Sequence, residues 1–155
     1  MLAGGAAGML WALAVLWLPM QGPQPFIPLN LALIFAFLPA GLVMILLVGL
    51  IAFRRFSNEE LMDGGVPECG TPADIDQRVL KNTVEHTLMG LLVWPFIAMS
   101  LGAVAIIALG ISFGIARLVF WLGYHAFPPM RVFGFAAGYY PTLLGTIWAG
   151  WRMLT

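Results

Sequence analysis

Long apolar runs separated by short polar breaks organise the chain. The first run covers Leu2–Met20 and stops at Gln21-Gly22-Pro23-Gln24-Pro25. The second covers Phe26–Phe53, with Pro28 near its start and Pro39 inside it. Next comes a polar stretch rich in Glu, Asp, Gly and Pro, from Arg54 to about Asp76. The segment from Arg78 to about His125 has room for two spanning helices joined by a tight turn, placed near Ser100–Ala103. A further break, Phe127–Met130, carries Pro128-Pro129 and precedes the last run, Val132–Trp151, which contains Pro141. Residues 1–53, 87–116 and 132–151 hold no charged side chain and no His. A spanning helix needs about 20 mostly apolar residues, and in lipid each span must satisfy its own backbone hydrogen bonds. The pattern therefore predicts an all-α transmembrane bundle, with four helices after residue 26 and a fifth if Leu2–Met20 also crosses. The second run exceeds one span, so a tilt or a kink at Pro39 is expected. Leu2–Met20 lacks a basic start and a small-residue cleavage site, and reads as a membrane helix rather than a leader.

Composition strengthens this picture. Hydrophobic residues make up 61% of the 155 residues and charged residues 9%, against roughly a quarter charged in soluble domains. The alternating ten-residue segments of a membrane barrel are missing. A net charge of zero argues against nucleic acid as a partner. Cys69, the single cysteine, can form no intrachain disulfide and is no zinc motif, and His86 and His125 lack metal-ligand spacing, so no metal is expected.

Basic residues set an expected orientation. Arg54, Arg55, Arg78 and Lys81 flank the polar stretch, Arg131 lies at the next break on the same side, and only Arg152 falls on the other. The positive-inside rule then places the 54–81 loop and the 126–131 break in the cytoplasm. Trp148 and Trp151 suit an interfacial belt at the far end.

Charges inside membrane helices are costly and therefore informative. Arg78, Asn82 and Glu85 stand at i, i+4 and i+7 and share one helical face. Arg117, Phe120 and Tyr124 share another, with Arg117 about 10 Å deeper than Tyr124 at a rise of about 1.5 Å per residue. Arg131 opens the last run. Together these predict a polar, mostly cationic pocket between the cytoplasmic ends of the helices, with Glu85 as a buried anion. Plainer readings compete. Arg78, Lys81 and Arg131 also suit interface anchors, and Arg117 with Glu85 suits a structural interhelical ion pair. Gly110/Gly114 and Gly134/Gly138 match small-xxx-small helix packing.

From about Leu29 to Trp151 the sequence resembles the MAPEG family, the membrane-associated proteins of eicosanoid and glutathione metabolism, in a bacterial-type member. The resemblance rests on Arg78-x-x-x-Asn82-x-x-Glu85 at a helix start, on Ala116-Arg117-x-x-Phe120-x-x-Gly123-Tyr124, on Arg131-x-x-Gly134-Phe135, and on the basic terminus Arg54-Arg55-Phe56. It implies a MAPEG-like membrane domain over residues 26–155, with residues 1–25 as an additional helix and linker. It implies a homotrimer that binds glutathione between protomers and takes lipophilic cosubstrates from the membrane lipid. By the same resemblance Arg54, Arg78, Asn82, Glu85 and Tyr124 bind the ligand, Arg131 stabilises the glutathione thiolate, and Arg55 handles the lipophilic substrate or acid in some members; Arg117 joins the binding residues through its place among the predicted pocket charges. Phe120 stands where family enzymes often have Tyr or His, Phe135 where some have Tyr, and Lys81 where some have Arg.

Two functions are then open. One is a glutathione-dependent transferase or peroxidase acting on lipophilic electrophiles or lipid hydroperoxides, favoured by Arg78, Asn82, Glu85, Tyr124 and Arg131. The other is a non-catalytic lipid-binding or scaffold protein of the same fold, favoured by Phe120 and Phe135. A transporter is poorly supported, because no inverted repeat is visible.

Overall fold

A computed structural model describes residues 2–155. The chain folds into α1 (Leu2–Gln21), α2 (Leu29–Phe56), α3 (Glu59–Met62), α4 (Pro72–Leu101), α5 (Ala103–His125) and α6 (Pro128–Leu154). No strand occurs among the described residues. The all-α bundle is as the apolar pattern predicts, and the boundaries have local causes. Thr71 caps α4 by accepting from the Asp74 N–H, with Pro72 in the first turn. Proline is favoured there because the missing N–H has no intrahelical partner anyway. The same preference moves Pro128-Pro129 out of the expected break and into the first turn of α6, leaving only Ala126 and Phe127 as the connection. The turn expected near residues 100–103 narrows to Gly102, whose φ of +91° is open to glycine at little cost. The polar stretch shortens as well. α2 continues through Arg54 and Arg55 to Phe56, and the short α3, capped by Asn58, occupies part of the connection to α4.

Helix α5 lies at the centre and packs against α1, α2, α4 and α6. α4 touches α2 and α6, α6 touches α1, and α1 and α2 do not meet. Ala36, Ala40, Trp94, Ile97, Ile106, Leu109 and Phe113 form the main core, reached by Leu16 of α1 and Ala149 of α6. The glycine pairs work inside the protomer. A Cβ on Gly110 or Gly114 would run into Ala36 or Pro39 of α2, and one on Gly134 into the backbone of Phe120. The outer surface along the helices is rich in apolar side chains, with Leu10, Ile34, Ile45, Leu92 and Ile147 all more than half exposed.

Four helices, α1, α2, α4 and α5, are long and apolar enough to cross a membrane. α6, which holds the Val132–Trp151 run read as the last span, is not among them. Its 27 residues are sufficient in length, but Gly, Thr, Tyr and Pro dilute its apolarity. Its buried face is built of small residues such as Gly134, Ala137, Gly138 and Gly145.

Candidate functional site

The chain directions bring the C-termini of α2 and α5 and the N-termini of α4 and α6 to one end. There a cavity of about 610 Å³ opens in the groove between α4 and α6, with α5 as its floor. Its wall from α4 carries Arg78, Lys81, Asn82 and Glu85, one face of the helix at three- and four-residue spacing. Phe120 and Tyr124 form the floor, and Arg131, Val132 and Phe135 the opposite wall. Five of the residues singled out in the sequence thus line one cavity: Arg78, Asn82, Glu85, Tyr124 and Arg131.

Each is held differently. Arg131 lies over the Tyr124 ring, its guanidinium carbon 4.9 Å from the ring centre, and Tyr124 meets Phe120 edge to face at 5.0 Å. A cation over an aromatic face is favourable, and this pairing fixes Arg131 at the mouth. Arg78 is exposed. It pairs with Asp74 at 2.9 Å and donates to Cys69 Sγ at 3.3 Å. Glu85 is exposed in the protomer, not the buried anion expected, because the groove is open on its outer side. It forms no ion pair among the described residues. It shares its exposed face with Leu88 and Leu92.

Three further residues lie away from the cavity. Arg117 is fully buried beneath the floor, too deep on α5 to line it. Its Nη1 donates to Asn82 Oδ1 at 2.8 Å, and its Nη2 contacts His86 Nδ1 at 3.2 Å. The ion pair with Glu85 does not form. The Phe113 and Phe120 rings flank the guanidinium, each with its centre 5.1 Å from the guanidinium carbon, and a Cβ on Gly138 would collide with Nη2. Arg54 faces inward from α2 and pairs with Asp76 instead of reaching the cavity. Arg55, the next residue, points about 100° away around the helix and is exposed outside the cavity.

Sequence reasoning missed the site that holds this end together. Asp76 is fully buried. Its carboxylate accepts from Arg54 Nε, from Trp121 Nε1 at 2.7 Å and from His125 Nε2 at 2.8 Å, tying α2, α4 and α5 together. The available signal was weak: Trp121 and His125 at i, i+4, and one carboxylate of six between residues 54 and 81. At the opposite end a second cavity, of about 630 Å³, lies between α1 and α6. It is lined by Leu13, Leu16, Trp17, Leu144, Ile147, Trp148 and Trp151, with no charged group in its wall.

Fold and site define a polytopic helical membrane protein with a polar, mainly cationic cavity between helices at one end. Residues 31–151 match the MAPEG family model, and the chain belongs to that family. It is an integral membrane protein of the family concerned with eicosanoid and glutathione metabolism. No curated protein and no solved structure matches the sequence.

Proposed function

We propose that the protein is a glutathione-dependent transferase or peroxidase acting on lipophilic electrophiles or lipid hydroperoxides. The observation that carries the reading is the composition of the α4–α6 cavity. It has three cations, one carboxylate and one amide on walls that open to the outside of the bundle. Glutathione has two carboxylates, one ammonium, two amides and a thiol. Arg78 and Lys81 suit the carboxylates, since guanidinium forks and ammonium groups form charge-assisted bonds to them. Glu85 suits the ammonium.

Arg131 takes the thiolate. A nearby cation lowers a thiol's pKa below its usual value near 8.5 and raises the thiolate fraction at neutral pH. In conjugation the thiolate sulfur attacks the electrophilic carbon, an S–C bond forms, and the leaving group departs with its electron pair. In peroxide reduction two glutathione molecules supply two electrons. The O–O bond breaks, and the products are an alcohol, water and glutathione disulfide. The test is the ultraviolet absorbance of the thiolate together with conjugation rate at saturating glutathione. Both should be present in the parent protein and fall together in Arg131→Ala. A parent without thiolate signal or turnover would favour the second reading, a lipid-binding protein. Phe120 and Phe135, the latter 39% exposed, support that alternative by lining the cavity with rings that offer no polar contact.

The working unit we propose is a homotrimer with the cavity end in the cytoplasm. Glu85 exposed on the same face as Leu88 and Leu92 is costly against lipid, and a neighbouring copy that covers the groove removes that cost. The exposed Arg55 of such a copy is available to the lipophilic substrate. Native mass measurement in nanodiscs should give three chains per particle. A monomer there would remove the shared site.

A further inference from the structure

Arg117 makes no contact with the cavity, yet it dictates what the cavity offers. A guanidinium has only donors, so the group of Asn82 that faces it at 2.8 Å is the oxygen, Oδ1. The other branch of the amide, Nδ2, hydrogen-bonds to nothing among the described residues. It is also not among the buried unpartnered atoms, so it reaches the open side, where Asn82 lines the cavity. Arg117 is itself held on several sides. Phe113 and Phe120 flank it, Gly138 leaves just enough room for Nη2, and His86 Nδ1 holds that nitrogen. Its Nε has no partner, and no carboxylate pairs with it among the described residues.

We infer that Arg117 is a positioning residue that locks Asn82 with its oxygen inward, so that the cavity wall there is donor-only and accepts a negatively charged hydrogen-bond acceptor of the ligand. The inference rests on the glutathione reading for the identity of that ligand, and not for the locked amide. An unlocked asparagine could offer either end. The locked one rejects an amide N–H and welcomes a carboxylate or thiolate. The buried positive charge behind it, with no counter-ion, adds attraction in the same direction.

Asn82→Asp separates this role from simple packing. The new carboxylate gives Arg117 the counter-ion it lacks, so the thermal midpoint in detergent should hold or rise. The face turned to the cavity then offers oxygen in place of N–H. Loss of a hydrogen bond to a charged group corresponds to a Kd about tenfold to a hundredfold weaker, and that loss is the expected result for glutathione by calorimetry. Arg117→Met frees the amide to rotate and should weaken binding several-fold less than Asn82→Asp does. Arg117→Lys, which can still donate to Oδ1, should recover most of the affinity. A merely structural pair predicts shifts in thermal midpoint with Kd unchanged. Unchanged affinity in Asn82→Asp, or a midpoint lowered as far as in Arg117→Met, would overturn the inference.

The same series is read with inorganic sulfate, an acceptor-only anion. It should raise the parent's thermal midpoint above that in chloride of equal ionic strength, and fail to do so in Asn82→Asp. Sulfate protection without glutathione binding would remove the glutathione reading and leave the donor-only site standing. Neither ligand acting on the parent would remove both.

Discussion

Two fully buried charges stand near the same end of the bundle, and they are treated in opposite ways. Asp76 is surrounded by three donors from two neighbouring helices, Arg54, Trp121 and His125. Arg117, equally buried, has an amide oxygen, an imidazole nitrogen and two aromatic faces, but no carboxylate. A buried charge is tolerated when paired and hydrogen-bonded, and costs several kcal/mol when it is not. Asp76 is therefore a clamp whose interactions close on themselves. Arg117 leaves its charge without a carboxylate among the described residues, directly beneath the cavity that we propose as the glutathione site. Complete compensation marks a purely structural site, and the incomplete compensation of Arg117 is what the positioning role inferred above would use.

The largest effect should come from breaking the clamp. Asp76→Ala leaves Arg54, Trp121 and His125 without their acceptor, and removal of one partner of a buried pair costs about 3–5 kcal/mol. Unfolding in detergent should show that loss, and a variant as stable as the parent would mean that Asp76 holds nothing. Next in size is Arg131→Ala. Loss of one cation at a developing or resting anion costs about a hundredfold in turnover, with little change in glutathione affinity. Steady-state rates across glutathione concentrations separate the two quantities. A rise in KM at constant kcat would give Arg131 a binding role instead.

Gly138→Ala sharpens the comparison from the side of Arg117. The added methyl occupies the place of Nη2, and overpacking of this kind costs about 1–3 kcal/mol. It should also weaken glutathione binding through the displaced guanidinium. The mildest change for the fold is Arg78→Ala. Its side chain is half exposed and bonded only to Asp74 and to Cys69, so the thermal midpoint should stay put while glutathione binding weakens. An equal loss of stability would show that Arg78 is an interface anchor.

Much of this was legible in the residue pattern. Charge-free runs marked the membrane helices because lipid tolerates few alternatives. The i, i+4, i+7 spacing of Arg78, Asn82 and Glu85 put them on one face, where the structure has them. Gly102 announced its turn because a positive φ suits few other residues. What stayed hidden depends on which way a side chain points across a helix interface. Arg54 and Arg55 are adjacent in sequence and look alike, yet one turns to Asp76 and the other outward. Asp76 itself looked like one more carboxylate in a polar loop, since its donors come from two other helices. Glu85 read as buried because it stands at the edge of the charge-free run that starts at Thr87, whereas the groove beside it is open. In its most apolar stretch α6 is less apolar than the other long helices because its inward face is made of small and weakly polar residues that let it pack closely on α5.

Whether glutathione occupies the α4–α6 cavity is read out by calorimetric titration. Glutathione is titrated into the purified protein in lipid nanodiscs, beside an Arg78→Ala/Lys81→Ala double variant of unchanged thermal midpoint. The account predicts saturable binding to the parent and its loss in the double variant. No binding to the parent, or equal affinity in both proteins, would contradict it.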